Sequence, residues 1–98
     1  MQVERQGETL RVDIHGMRCE EAKERLLWLF GHQCKGIKQV TVIHGYRSGQ
    51  ALRDMVRTLR HPRISKRVLS LNDGETIFFL NGKENASARG KDFFRRNG

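Results

Sequence analysis

A single α/β domain is predicted by three features of these 98 residues, with elements in the order β-α-β-α-β-β and four strands in one mixed sheet on which the helices pack. First, the tripeptide Ile-His-Gly occurs twice, at Ile14-His15-Gly16 and Ile43-His44-Gly45, each time closing a β-branched run and preceding a helix-like stretch. The two histidines stand 29 residues apart, the length of one strand-helix unit with its loops. Second, apolar residues recur at every second position in short segments and at every third or fourth in two longer ones. Third, an Asp-Gly pair at Asp73-Gly74 separates the last two apolar runs, a strong hairpin-turn signal. A helical crossover makes the two His-Gly strands parallel, so both histidines are expected at carboxyl strand ends, where open α/β sheets bind their ligands.

Each element has its own warrant. Thr9 to Ile14 alternates with Leu10, Val12 and Ile14 in phase, the period of a strand, and Asp13 falls one step out of that phase. From Cys19 to about Cys34 the positions Ala22, Leu26, Leu29, Phe30 and Gln33/Cys34 recur at helical spacing, with Glu20, Glu21, Lys23, Glu24 and Arg25 mostly opposite. Glu20 and Glu21 suit the positive end of that helix and Gly36 its stop, while Arg18 is a poor N-cap. Gln39 to Ile43 is the second strand. Ser48 or Gly49 opens a second helix with Ala51, Leu52, Met55, Val56 and Leu59 as its core stripe. It ends before His61-Pro62, because a residue preceding proline avoids the helical region. Ile64 to Leu71 and Glu75 to Leu80 are the third and fourth strands, joined at Asn72-Asp73-Gly74. Trp28, Phe78 and Phe79 are assigned to core and sheet packing.

Residues 1–8 read as an N-terminal extension, 9–80 as the domain, and 81–98 as a basic tail that is disordered on its own, with Phe93 and Phe94 its only large apolar residues. The formal charge is +8, and it is unevenly spread. Residues 1–43 carry seven Lys/Arg against six Asp/Glu, and residues 44–98 carry twelve against five. A polyanionic partner is the expectation. No run approaches the roughly 18 apolar residues of a membrane span, and the N-terminus lacks an apolar signal stretch, so a soluble cytoplasmic protein is expected, with no membrane partner. Cys19 and Cys34 bracket one helix about four turns apart, more than ~20 Å and beyond disulfide reach. They read as reduced thiols, and no second Cys/His pair stands at zinc-ligand spacing.

Were the polyanionic partner a nucleic acid, cleaving its phosphodiester backbone would need a base for the attacking oxygen, an acid for the leaving oxygen, and positive charge for the transition state. His15 and His44 are candidates for the first two roles, and Arg53 or Arg47 for the third. Asp13 could hold one imidazole in a fixed tautomer or lend itself to a weak, water-filled Mg²⁺ or Mn²⁺ site; no residue is assigned as a metal ligand. An architectural role for His-Gly at a strand end stands beside this one, with the ring bonding a backbone group and the glycine taking positive φ. Two copies in equivalent turns favour the functional reading. His32 and His61 are taken as surface or packing residues. Gly45 to Gly49, leading into a helix, is a candidate phosphate loop, with Tyr46 free to stack on a base. Residues 47–67 hold seven basic residues, Arg47, Arg53, Arg57, Arg60, Arg63, Lys66 and Arg67, against Asp54 alone. That stretch is expected to meet phosphates, with a solvated basic face as the ordinary alternative.

The stretch Val12-Asp13-Ile14-His15-Gly16-Met17, followed by Glu20-Glu21-Ala22, then Val42-Ile43-His44-Gly45 and Leu52-Arg53, resembles the Smr (small MutS-related) domain family over roughly residues 9 to 80. The family's first motif, Leu-Asp-Leu-His-Gly, is matched in character at all five positions. Its second, His-Gly or Thr-Gly followed by Gly-x-Gly, is matched at His44, Gly45 and Gly49, with Arg47 where a glycine is expected. The resemblance implies a fold similar to the C-terminal domain of bacterial translation initiation factor three. It also implies a nuclease that nicks DNA or cleaves RNA, including messages on stalled ribosomes, or else a binding module. Carried onto this chain, the catalytic candidates are Asp13, His15 and His44, with Gly45, Gly49 and Arg53 beside them; Tyr46, Arg47 and Arg57 complete the expected nucleic-acid contacts. The expected function is an endonuclease acting on RNA rather than DNA, with the ribosome as a partner. A non-catalytic nucleic-acid-binding module and a basic protein-interaction domain are the rivals.

Overall fold

Leu10, Val12 and Ile14, in phase along one extended segment, are all but sealed from solvent, as alternation demands of a strand with one face on the core. The computed structural model describes residues 1–45 and 50–81. Its elements are β1 (Gln2–Gln6), β2 (Thr9–Asp13), α1 (Cys19–His32), β3 (Gln39–Ile43), α2 (Ala51–Thr58), β4 (Ile64–Leu69) and β5 (Glu75–Leu80). The strands form one sheet in the order β1-β2-β3-β5-β4. β2 and β3 run parallel, with Val12 opposite Val42, and every other pairing is antiparallel. The crossover through α1 therefore sets both Ile-His-Gly segments at the same edge, and Ile14 N–H donates to Ile43 O across them.

The sheet has five strands, not four. The additional one, β1, lies in the stretch read as an extension. Its sequence Gln-Val-Glu-Arg-Gln offers a single apolar residue and every position is exposed, so no periodicity marks it. Its pairing to β2 comes from the turn at Gly7-Glu8, where Gly7 takes φ +61.

Both helices bury their stripes in one core. Ala22, Leu26, Leu29, Phe30 and Cys34 of the first and Leu52, Met55, Val56 and Leu59 of the second meet Val40, Val42, Phe78 and Leu80 of the sheet. Phe30 stands edge-on to Phe78 at 5.4 Å. Each Val, Leu, Met or Phe side chain among them taken from water contributes about 1.5–3 kcal/mol, so this single cluster holds the two layers together. Ala51, expected in the stripe, is exposed at the first position of its helix. Trp28 is also exposed, two residues and hence about 200° around α1 from Leu26, and it stacks on His32 instead. β4 stops at Leu69 rather than Leu71, which points fully into solvent. Asn72 closes the hairpin by accepting the Gly74 N–H on its side chain.

Two of the seven basic residues expected to meet phosphates are internal struts. Arg63 is buried and donates to Cys34 O beyond the end of α1. Arg67 donates to Val56 O and Leu59 O, satisfying carbonyls at the end of α2, and lies over the Phe78 ring. Burial pushes the Cys34 thiol up to about 11, against the opposing pull of Arg63, so it behaves as a core residue. Cys19 is likewise a free thiol.

The other face of the sheet carries Asp13, Ile43, Glu75, Ile77 and Phe79, each half-buried, with no helix against it among the described residues. The tail beyond Asn81, and Ser48 and Gly49 as helix openers, lie outside the described residues. No described helix is long and apolar enough to cross a membrane.

Candidate active site

The parallel pairing of β2 and β3 places the two His-Gly turns in contact. Gly16 and Gly45 take φ +80 and +79, a conformation that side chains rarely adopt. A Cβ on Gly45 would stand 3.4 Å from the His15 Cβ, so glycine there lets the second turn pass close beside the first histidine.

The two imidazoles have opposite surroundings. His15 lies just past β2 with its side chain 68% exposed. Its Nδ1 is 2.5 Å from Asp13 Oδ1, and the same oxygen accepts the His15 backbone N–H at 3.0 Å. Asp13, out of phase with the core residues of β2, is thus turned back on the loop and fixes the ring through Nδ1. Nε2 is left outward, without a partner among the described residues. Partial burial alone would raise the Asp13 carboxyl, but the side-chain and backbone hydrogen bonds from His15, with the imidazole's charge, hold it below the usual carboxylate value.

His44 is 1% exposed. Its Nε2 is 3.0 Å from Thr76 Oγ1 and its Nδ1 is 3.0 Å from Gly45 O. The backbone N–H groups of His44 and Gly45 both donate to Gly74 O in the β4-β5 hairpin. The second turn is therefore anchored at both ring nitrogens and through its backbone. Burial lowers the pKa of the ring, and Arg57 and Arg53 push the same way, against the Gly45 carbonyl and Glu75.

Arg53 and Arg57, one helical turn apart on α2, are half-buried near His44. The Nε atoms of both are sealed from solvent without a hydrogen-bond partner, and Arg53 Nε is 3.8 Å from Asp54 Oδ1, too far for a bond. Arg53 and Arg57 thus set two guanidinium groups near His44, each with its Nε donor unmet. Tyr46, Arg47 and Gly49 lie outside the described residues. Among the described residues no three His, Cys, Asp or Glu side chains converge. Asp13 is the carboxylate at hand, and its Oδ1 is taken by His15, which does not make a cage for Mg²⁺ or Mn²⁺.

Thr76, the buried partner of His44, was not singled out from the sequence. Its signal is a polar residue in the inward phase of Thr76, Phe78 and Leu80.

The family model for the Smr domain matches residues 12–76, well over half of the chain. Among solved structures, the crystal structure of the Smr domain of Thermus thermophilus MutS2 superimposes with a TM-score of 0.65 at 22% sequence identity, covering 72% of this chain and 96% of that one. At that identity the likeness is one of fold. No curated protein sequence matches the chain.

Proposed function

The chain belongs to the Smr domain family, a nucleic-acid-binding and nuclease-type family, and on that premise we propose that it is an endonuclease cutting single-stranded RNA in the cytoplasm. The observation that carries the reading is the Asp13–His15 pair, an exposed imidazole fixed at Nδ1 by a carboxylate, next to the turn of His44, which has Arg53 and Arg57 near it. In this reading a phosphate sits against the two arginines and the 2′-hydroxyl of the preceding ribose faces His15 Nε2. The imidazole takes the hydroxyl proton, the 2′ oxygen bonds to phosphorus, and the 5′ oxygen departs with a proton from water. The products are a 2′,3′-cyclic phosphate and a 5′-hydroxyl. Arg53 and Arg57 offset the charge that grows on the phosphoryl oxygens. His44, with both ring nitrogens engaged, acts as a positioning residue that holds the second turn beside His15. The excess of positive charge after residue 43 suits a strand presented on a ribosome, the setting in which we place the activity.

The test is cleavage of end-labelled single-stranded RNA and of the matching DNA by the wild type and His15→Ala, with a binding titration alongside. The expected result is cleavage of RNA alone, a cyclic phosphate end, persistence in EDTA, and loss in His15→Ala with binding intact. Cleavage of DNA, or cleavage that survives His15→Ala, overturns it. A second reading, binding without cleavage, is favoured by one feature, Arg47 in place of a motif glycine. It is the conclusion if no variant cuts and all bind.

A further inference from the structure

Trp28, the chain's one tryptophan, stands on the outer side of α1 and is 52% exposed. Its ring lies nearly parallel to that of His32, one turn on, with centroids 4.8 Å apart and planes within 12°. The His32 ring is fixed in that pose, because its Nδ1 donates to Trp28 O at 3.0 Å. Each ring covers one face of the other, so the exposure of both falls on their outer faces and edges. The other helical neighbours of Trp28 are Glu24, Arg25 and Gly31, all exposed, and they add no large apolar side chain to the pair. The core of a protein–protein interface is apolar and poor in charge, which this surface is not. It suits a planar ring that carries a charged group of its own, as a nucleobase carries its phosphate.

Charge separates the two ends of the stack. At the Trp28 end stand Glu24 and Glu21, the latter holding Arg25 at 3.7 Å. At the His32 end the chain leaves α1 through exposed Lys35 and Gly36. Arg5 reaches in there from β1, its Nη2 3.4 Å from where a Cβ on Gly36 would stand. Neither Lys35 nor Arg5 has an acidic partner among the described residues. We propose that an unpaired base of the bound RNA strand lies on the open face of His32, extending the stack to a third ring, with its phosphate toward Lys35 and Arg5. The proposal rests on the reading of the chain as an RNA-binding protein, and not on cleavage. Trp28 is a positioning residue that backs the imidazole and holds it through its carbonyl. Gly36 precedes β3 and His44 follows it, so the base is held a strand's length from the paired turns, five residues of about 3.3 Å each, or about 17 Å. Stacking accepts any base, so the site adds grip without choosing sequence.

The isotope-labelled full chain is titrated with two probes. The first is 2′-O-methyl oligoadenylate, which offers bases but no 2′-hydroxyl to cut with; the second is inorganic polyphosphate, which offers charge alone. Ring-current shielding is expected to move the His32 Hδ2 and Hε1 resonances upfield with the oligonucleotide and not with polyphosphate. His32→Ala is expected to weaken oligonucleotide binding about tenfold and to leave polyphosphate binding unchanged, while His32→Phe, which keeps a ring, retains the wild-type affinity. Lys35→Ala is expected to weaken both and to flatten the salt dependence of oligonucleotide affinity by about 0.7. Both positions are exposed, so each variant is expected to keep the urea midpoint of the wild type. Equal shifts with polyphosphate, or unchanged oligonucleotide affinity in His32→Ala, would overturn the proposal. Ordinary RNA that shields His32 but is not cut would sink the nuclease reading and leave the stack standing. Cutting by a chain whose His32 resonances stay in place would do the reverse.

Discussion

The same tripeptide is used in opposite ways at its two occurrences. His15 faces solvent and bonds a carboxylate two residues away; His44 is sealed in the core and bonds a hydroxyl 32 residues away. His15→Ala should therefore leave stability within about 0.5 kcal/mol. His44→Ala strands Thr76 Oγ1 and should cost about 1–3 kcal/mol, read from urea denaturation. Both His44 and His61 are shifted below the ordinary value of 6.5 by burial, with neighbouring arginines adding to it. In the unfolded chain these rings take up protons as pH falls through about 6.5, whereas in the folded chain they do so only at lower pH, so the unfolded state binds more protons and stability drops on acidification. The urea midpoint is expected to fall between about pH 7.5 and about pH 5.5, and to fall less steeply in His44→Gln. An unchanged slope in that variant would remove His44 from the account. The Asp13–His15 pair was legible because its partners are local and form one motif. The asymmetry was not, because it depends on Thr76, which reaches the histidine only once β5 lies beside β3.

At the scale of elements, periodicity placed both helices and four strands, and it failed where an end is decided from a distance. Neither helix has a side chain capping its amino end. Their carboxyl ends are served by arginines from later in the chain, Arg63 at Cys34 O and Arg67 at Val56 O and Leu59 O. A run of basic residues reads the same in sequence whether it faces water or carbonyl groups. Arg67→Met keeps much of the aliphatic stem and deletes the donors. It should destabilise the fold by about 1–3 kcal/mol in urea denaturation. RNA affinity of the folded protein should stay near that of the wild type. A variant as stable as the wild type but weaker in binding would return Arg67 to the nucleic-acid surface. β1 escaped notice for the complementary reason: it buries none of its own residues, and its pairing groups are in the backbone, which every sequence shares.

Over the whole molecule, the sheet divides the work between its two faces. One carries the helices and, on α2, Arg53 and Arg57; the other carries the mixed acids and bases between β1 and β5. The imbalance of charge after residue 43 was countable from the sequence, but its distribution was not. Of the described basic residues in 47–67, Arg63 and Arg67 are spent on carbonyl groups, and Lys66 lies over the Phe79 ring. Arg60 is exposed, and Arg53 and Arg57 remain near His44 with Nε unmet. If each neutralises one phosphate of a single strand, each adds about 0.7 to the steepness with which log affinity falls against log salt. Arg53→Ala with Arg57→Ala should then flatten that slope by about 1.4, measured by fluorescence anisotropy of a labelled oligoribonucleotide. Each substitution removes a half-buried cation whose Nε is unsatisfied, so the double variant should be no less stable than the wild type in urea. A flattened slope with retained stability separates cations held ready for phosphate from cations that support the fold. An unchanged slope would move the binding surface away from α2 and leave His15 without a phosphate beside it.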